Sequence, residues 1–290
     1  MGDGVVRATA FDNTVRAFAV EIKDTLETAM GYHKLNPLAA TALGRALEAV
    51  AMMREMTKGD NETITLRIKS EGPMGGLIAV GSNDGTLKGY VTNNDYSSYG
   101  EDAEFGVGPC LTPGIMTIIK DLGMKEPYSG SIPLQSGEIG DDLAHYYTYS
   151  EQIPSLVALG VKLNPDATVK SASGMIIQVM PGAEDETVKY IEDRLREAGS
   201  ASKLFEITNS PEGMLKFMLD EGKVIITEKK EVAYNCGCSR DAMLRGVLSL
   251  GRDELTKIIE EQDEVETVCH YCEKRYKFNS KDIKAILLNG

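Results

Sequence analysis

The chain has 290 residues, 42% of them apolar and 26% charged, which excludes collagen-like, low-complexity and disulfide-scaffold classes. A chain of this length can bury roughly three quarters of its unfolded surface, so a sizeable core is available to it. With 44 acidic residues against 31 Lys and Arg, a net charge of −13, no tryptophan and only 6% aromatics, it is a poor candidate for tracking a phosphate backbone or stacking single-stranded bases.

In chain order, residues 5–11 and 15–20 flank an Asp12-Asn13-Thr14 turn and predict a hairpin. Asn36-Pro37 starts a helix carrying Leu43, Leu47 and Val50 at helical spacing, and Lys58-Gly59 stops it. Residues 63–68 alternate strictly through Ile64, Leu66 and Ile68, the pattern of a strand with one buried face. Residues 76–81 and 86–92, around Asn83-Asp84-Gly85, read as two more strands. Residues 115–122 read as a strand on their β-branched content. Residues 137–151 predict a helix with Ile139, Leu143, Tyr146 and Tyr147 on one face. Residues 161–171 predict a hairpin through Asn164-Pro165-Asp166, followed by a separate apolar strand at 175–180. No internal repeat of 20 to 50 residues is visible. The fold class is therefore α+β, with residues 1–180 forming a large N-terminal domain of antiparallel sheet with helices.

The texture changes at Pro181-Gly182. Residues 181–232 hold 12 acidic and 8 basic side chains among 52 and predict a charged helical linker. One short amphipathic helix carries Val188, Ile191 and Leu195; a second carries Met214, Leu215, Met218 and Leu219. Such short helices are ordered only with a surface to dock on.

Residues 233–290 contain Cys236-Gly237-Cys238 and, 30 residues on, Cys269-His270-Tyr271-Cys272. Two cysteine pairs from two tight turns match a tetrahedral four-thiolate zinc site with no open position, so zinc here is structural or regulatory and zinc hydrolysis is disfavoured. Gly237 relieves the tighter bite of Cys-x-Cys. Between the pairs, Ser239 reads as a helix cap, followed by helices carrying Met243, Leu244, Val247 and Leu248, then Leu255, Ile258 and Ile259. This module has too little core to stand alone, and a structural zinc worth ~10–16 kcal/mol makes metal occupancy the folding condition. A net charge of −1 over 233–290 argues against a nucleic-acid ribbon. His145 reads as a structural residue on its helix, His33 as a loop residue, Cys110 as a small apolar filler, and the Gly-rich run 71–76 as a turn without P-loop spacing.

No stretch reaches the length of an apolar membrane span, and the N-terminus lacks the basic start and apolar middle of a signal peptide, so a cytoplasmic protein is expected. In that reducing compartment, five cysteines are expected as ligands or redox centres rather than structural bridges.

These cysteine pairs, together with Gly72-Pro73-Met74-Gly75-Gly76, Ser136-Gly137-Glu138-Ile139-Gly140-Asp141-Asp142, Ser150-Glu151-Gln152-Ile153-Pro154 and Gln178-Val179-Met180-Pro181-Gly182, resemble the heat-shock protein 33 family along essentially the whole chain. The resemblance implies a redox-regulated, ATP-independent holdase chaperone, not an enzyme. It implies one zinc held by Cys236, Cys238, Cys269 and Cys272 in a reduced, inactive state. It further implies that oxidation forms two disulfides, Cys236–Cys238 and Cys269–Cys272, with release of zinc and unfolding of the module and linker. The activated protein would then be a homodimer binding unfolded or unfolding client proteins, handing them on to ATP-driven foldase chaperones, with no nucleic-acid or membrane partner. On this reading 1–180 binds clients, 181–232 is the linker and 233–290 the zinc-binding redox switch. The apolar residues exposed on opening would include Leu195, Met214, Leu215, Met218 and Leu219.

Two other readings stay open. A structural four-cysteine zinc ribbon docking a protein partner would bind zinc identically without gaining client binding on oxidation. An enzyme site around Glu138, Asp141, Asp142 and His145 would show a turnover, although nothing in the spacing favours it.

Overall fold

The hairpin predicted at the N-terminus is the nucleus of the first sheet. In the computed structural model, which describes residues 2–57, 59, 61–94, 106–281, 283 and 284, β1 (Gly4–Ala10) and β2 (Val15–Glu21) pair antiparallel, with Ala10 opposite Val15 across the turn. Helix α1 (Lys23–His33) follows, then α2 (Pro37–Arg54), opened by Asn36, whose side-chain oxygen accepts the Ala39 N–H at 2.9 Å. Next come β3 (Thr63–Ser70), β4 (Gly76–Ser82), β5 (Thr86–Val91), a single turn α3 (Gly108–Leu111), β6 (Gly114–Asp121), β7 (Tyr128–Pro133) and α4 (Ile139–Tyr149). The unit continues through β8 (Ser155–Leu163), β9 (Val169–Val179), α5 (Asp185–Ala198), α6 (Ala201–Thr208), α7 (Pro211–Leu219), β10 (Ile225–Glu231) and β11 (Ala233–Tyr234). The chain divides into two compact units, Met1–Asn235 and Cys236–Gly290.

Among its described residues the first unit contains two sheets. One has the antiparallel order β10-β1-β2-β9-β8; the other runs β11-β5-β4-β3-β6-β7, antiparallel except for β11 beside β5. Helix α2 touches strands of both sheets. From Ala39 onward only Thr41 and Arg45 on it escape full burial. A helix flanked by two sheets has no solvent face, so its apolar residues surround it instead of forming the single stripe that the sequence suggests. Its alanines let both sheets approach closely. One large core, including Phe18, Leu43, Leu47, Ile64, Leu66, Met116, Leu143 and Tyr146, lies around α2.

The opposite face of the first sheet carries a second core. Val6, Ala8, Val15, Ala17 and Ala19 from the hairpin, with Met175 and Ile177 from β9, are covered by Ile191, Leu204, Phe205, Met214, Leu215, Met218 and Leu219 of α5–α7. The segment 181–232 is thus packed as part of the first unit. It contains three helices and a strand where two helices were expected. Helix α6 was missed although Ser200 caps it by accepting the Lys203 N–H. Strand β10 was missed because Ile225-Ile226-Thr227-Glu228-Lys229-Lys230-Glu231 carries the charges of an edge strand and lacks alternation.

Other expectations need correction. The separate strand at 175–180 is the second half of β9, which pairs along most of its length with β8. His33 is not in a loop but ends α1, its Nε2 3.4 Å from the Tyr234 hydroxyl. Strand β7 was overlooked because Ser129, Gly130, Ser131 and Pro133 are poor strand formers that an edge position tolerates. Helix α2 ends at Arg54, before Gly59, and Lys58 lies outside the described residues.

Within the core around α2 one polar group is anomalous. Glu48 is completely buried; its Oε2 accepts the Gly160 N–H at 3.0 Å, while Oε1 has no hydrogen-bond partner among the described residues. The absence of a side chain at Gly174 makes room for it, since a Cβ there would sit 2.9 Å from Oε2. Burial raises the Glu48 carboxyl well above the usual carboxylate range, and the Gly160 hydrogen bond and the Arg45 charge offset this only in part. The folded state therefore binds this proton more tightly than the unfolded chain, so stability is fully present below the unfolded carboxyl pKa and declines as pH rises through the folded one. Glu48→Gln keeps an acceptor for Gly160 and removes the titration. In urea unfolding series from pH 5 to 8, the stability difference between variant and wild type is expected to move in the variant's favour with rising pH, by at most about 1.4 kcal/mol per unit. Parallel pH profiles would show that Glu48 is ionised in the fold.

Candidate metal centre

The second unit is built from α8 (Arg240–Leu248), α9 (Arg252–Glu261) and a hairpin of β12 (Glu264–Val268) with β13 (Arg275–Asn279). Ser239 caps α8 by accepting the Ala242 N–H at 3.2 Å, as its position in the sequence suggests. The hairpin was not anticipated, although Val265 and, opposite it, Phe278 are buried and Tyr276 repeats two residues earlier, an alternation available in the sequence. Val247, Leu255, Val265, Tyr276, Phe278 and Ile283 make a small core against which the cysteines lie.

Each cysteine pair sits in a tight turn. Cys236-Gly237-Cys238 directly precedes the α8 cap, with Gly237 at φ +63°, a left-handed conformation that costs glycine little. Cys269-His270-Tyr271-Cys272 is the turn of the β12–β13 hairpin. There the Cys269 carbonyl accepts the Cys272 N–H at 3.3 Å and the Glu273 N–H at 2.8 Å, and the Cys269 N–H closes the loop on the Lys274 carbonyl at 3.0 Å. The two turns bring the four sulfurs within 4.8 Å of one another. Cys236 Sγ is 3.2 Å from both Cys238 Sγ and Cys272 Sγ, and Cys238 Sγ is 3.5 Å from Cys272 Sγ. All four are free thiols.

These separations fit a shared ion. Four sulfurs about 2.3 Å from one tetrahedral centre would stand about 3.8 Å apart, slightly wider than the pairs seen here. Without a cation, four thiols so close cannot all ionise. Burial opposes ionisation of Cys238, but hydrogen bonds from Tyr276 and Cys236 outweigh it and draw this thiol down to about 7. Burial pushes Cys272 and Cys269 up, and the neighbouring sulfurs hold Cys272 higher still. A divalent ion resolves the conflict by accepting all four thiolates at once, and a purely sulfur donor set selects a soft or borderline metal. With four ligands from the chain, no coordination position remains for a substrate.

The other sequence candidates are engaged in building the fold. Asp142 is buried and accepts the N–H groups of Gln135, Ser136 and Gly137 at 2.6, 3.2 and 2.8 Å. Glu138 pairs with Arg45 and accepts the Gly108 N–H at 3.1 Å. His145 stacks on Tyr149 with ring centroids 4.1 Å apart, and Asp141 is exposed. Cys110 is buried in α3, far in sequence from the cluster. Met214, Leu215, Met218 and Leu219 are fully buried, and Leu195 is partly buried against the same core.

The family model described as Hsp33 protein matches residues 3–279. A 33 kDa chaperonin of Bacillus cereus is 42% identical over 291 residues, covering all of both chains. One from Caldanaerobacter subterraneus is 40% identical, covering 99% of this chain and 98% of its own. A crystal structure of the 33 kDa chaperonin (heat shock protein 33 homolog) from Thermotoga maritima superimposes with a TM-score of 0.89 at 32% identity, over 100% of this chain and 99% of that one.

Because each thiol must lose its proton to bind, metal uptake is expected to release protons and to weaken as pH falls. Titration of the reduced chain with a thiophilic divalent ion should saturate at one ion per chain, and a Cys236→Ser/Cys238→Ser variant should lose tight binding. Saturation of that variant at the wild-type affinity would refute the shared site.

Proposed function

The chain belongs to the Hsp33 family, and from that premise we propose that it is a redox-regulated, ATP-independent holdase chaperone, silent while reduced and metal-bound. The observation that carries the reading is the four-sulfur cluster, lying at the end of a chain matched to the family over nearly its whole length. The ion is zinc, which suits an all-thiolate tetrahedral set, and it is held by Cys236, Cys238, Cys269 and Cys272. Zinc supplies no reaction here; when bound, it cross-links the two turns and contributes folding free energy to the second unit.

The switch is chemistry of the sulfurs. Two metal-bound thiolates that join as a disulfide give up two electrons; hydrogen peroxide accepts them, takes two protons from solvent and leaves as two waters. Two disulfides consume two peroxide molecules and remove all four thiolate ligands. The pairing Cys236–Cys238 and Cys269–Cys272 rests on the family resemblance, because Cys236 Sγ is equally near Cys238 and Cys272. Deprived of its ligands, the second unit retains only its small core, below what sustains an independent fold.

The chain runs from α7 through β10 and β11 directly into Cys236, and in this reading unfolding spreads back along it. The functional division is a client-binding part in 1–180, a linker in 181–232 and a switch in 233–290. Release of α5–α7 bares Val6, Ala8, Ala17, Ala19, Met175 and Ile177 together with Met214, Leu215, Met218 and Leu219. Flexible methionines and a charged surround suit promiscuous binding of unfolded chains in a soluble form. The activated protein dimerises, works in the cytoplasm, and yields its clients to ATP-driven foldases after reduction. Binding, without turnover, is its whole activity. Among the described residues no helix is long and apolar enough to cross a membrane.

Light scattering of an unrelated, thermally unfolding protein tests the reading. Suppression of aggregation by the peroxide-treated chain, and none by the reduced zinc-loaded chain, is expected. Equal inertness of both samples would favour the static zinc ribbon. Met218 on α7 is fully buried, and Met218→Ala should weaken docking by about 2–5 kcal/mol. The reduced variant is therefore expected to suppress aggregation partially without oxidant; a variant as silent as the reduced wild type would argue against α5–α7 as the cover.

A further inference from the structure

The four sulfurs differ in how their remaining lone pairs are satisfied. Cys236 Sγ accepts the Cys238 N–H at 3.4 Å. That donor is one that a tight turn provides from the chain itself. The donor aimed at Cys238 is instead a side chain, the Tyr276 hydroxyl on β13, 3.0 Å from Sγ. The reason lies in the sequence: Cys238 is followed at once by Ser239, the cap of α8, so the chain turns into a helix there and does not fold back over the sulfur.

We propose that Tyr276 is a positioning residue of the metal centre, its O–H supplying to the Cys238 thiolate a hydrogen bond of the kind that Cys236 receives from a backbone amide. A metal-bound thiolate carries no proton, so the phenol must be the donor. Tyr276 is fixed for this role: it is 6% exposed, packed in the core of the second unit, and held opposite Thr267 by the hairpin register. Its hydroxyl reaches the Cys238 carbonyl only at 3.5 Å, so the sulfur is the better acceptor. Partners that orient a metal ligand change metal affinity by about 10–100-fold when removed. A hydrogen bond also lowers the energy of the sulfur lone pair, which moves sulfur-to-metal charge transfer to higher energy.

This inference rests on the metal-site reading, and the test separates the two. The full-length reduced chain is loaded with cobalt(II), and affinity is measured by competition with a chelator while the sulfur-to-cobalt charge-transfer band is recorded. Tyr276→Phe keeps the ring and removes the hydroxyl; Phe278→Leu disturbs the same core without touching the hydrogen bond. The expected result is an affinity about tenfold lower for Tyr276→Phe, with the band shifted to lower energy, and an unshifted band for Phe278→Leu. A Tyr276→Phe chain with wild-type affinity and band position overturns the proposal, as does a loss of affinity without a band shift, which would mean packing alone. A wild-type chain that takes up no cobalt overturns the metal site and this inference with it.

Discussion

Four sulfurs held within 4.8 Å of one another are the constraint on which the second unit depends. Close thiols share badly: burial and mutual repulsion allow charge to settle at Cys238 while Cys269 and Cys272 are driven the other way. A divalent ion converts that repulsion into cohesion. The unit around it has a core of few residues, too small for hydrophobic burial to offset the entropy of ordering its chain. In the proposed switch its fold is conditional on the chemical state of the sulfurs, so that a redox reaction reads as a folding transition.

The first unit shows the complementary design. Helix α2, enclosed by two sheets, and the core around it provide a scaffold built within the first unit and apart in sequence from the four-cysteine cluster. The second core, between the hairpin face and α5–α7, is different in kind. Helix α5 is densely charged on its outer side, α6 and α7 are short at 8 and 9 residues, and the buried side chains of this cover include Met214, Met218 and Leu204. Such an interface can be surrendered without losing the scaffold beneath it. The buried Glu48, with one oxygen lacking a partner among the described residues, is a separate cost within the scaffold.

Much of this was legible in the sequence because several signals agreed locally. The Asn36-Pro37 start of α2, the alternation of Ile64, Leu66 and Ile68, and the cysteine spacing each have one dominant physical reading. The elements missed were those whose stability comes from elsewhere. Strand β10 is charged because it is an edge, β7 is rich in serine and glycine for the same reason, and α1 has a weak apolar stripe. The reach of β9 could not be read because the polar Ser171 and Ser173 interrupt the apolar pattern although both are buried in the sheet. The cysteine cluster was visible from spacing, whereas the part of Tyr276 was not, since only the hairpin register brings β13 beside Cys238. The acidic residues around Asp142, which no spacing favoured as an enzyme site, have a structural use: the buried carboxylate ties down the turn at 135–137.

In the proposed switch, loss of the thiolate ligands unfolds the second unit and thereby loosens α5–α7. Hydrogen exchange of the full chain, read by mass spectrometry before and during peroxide treatment, tests it most directly. Amides in 236–281 are expected to lose protection first and those of α5–α7 to follow, while β2 and β9 remain protected throughout. Retained protection of α5–α7 after the second unit has unfolded would contradict it.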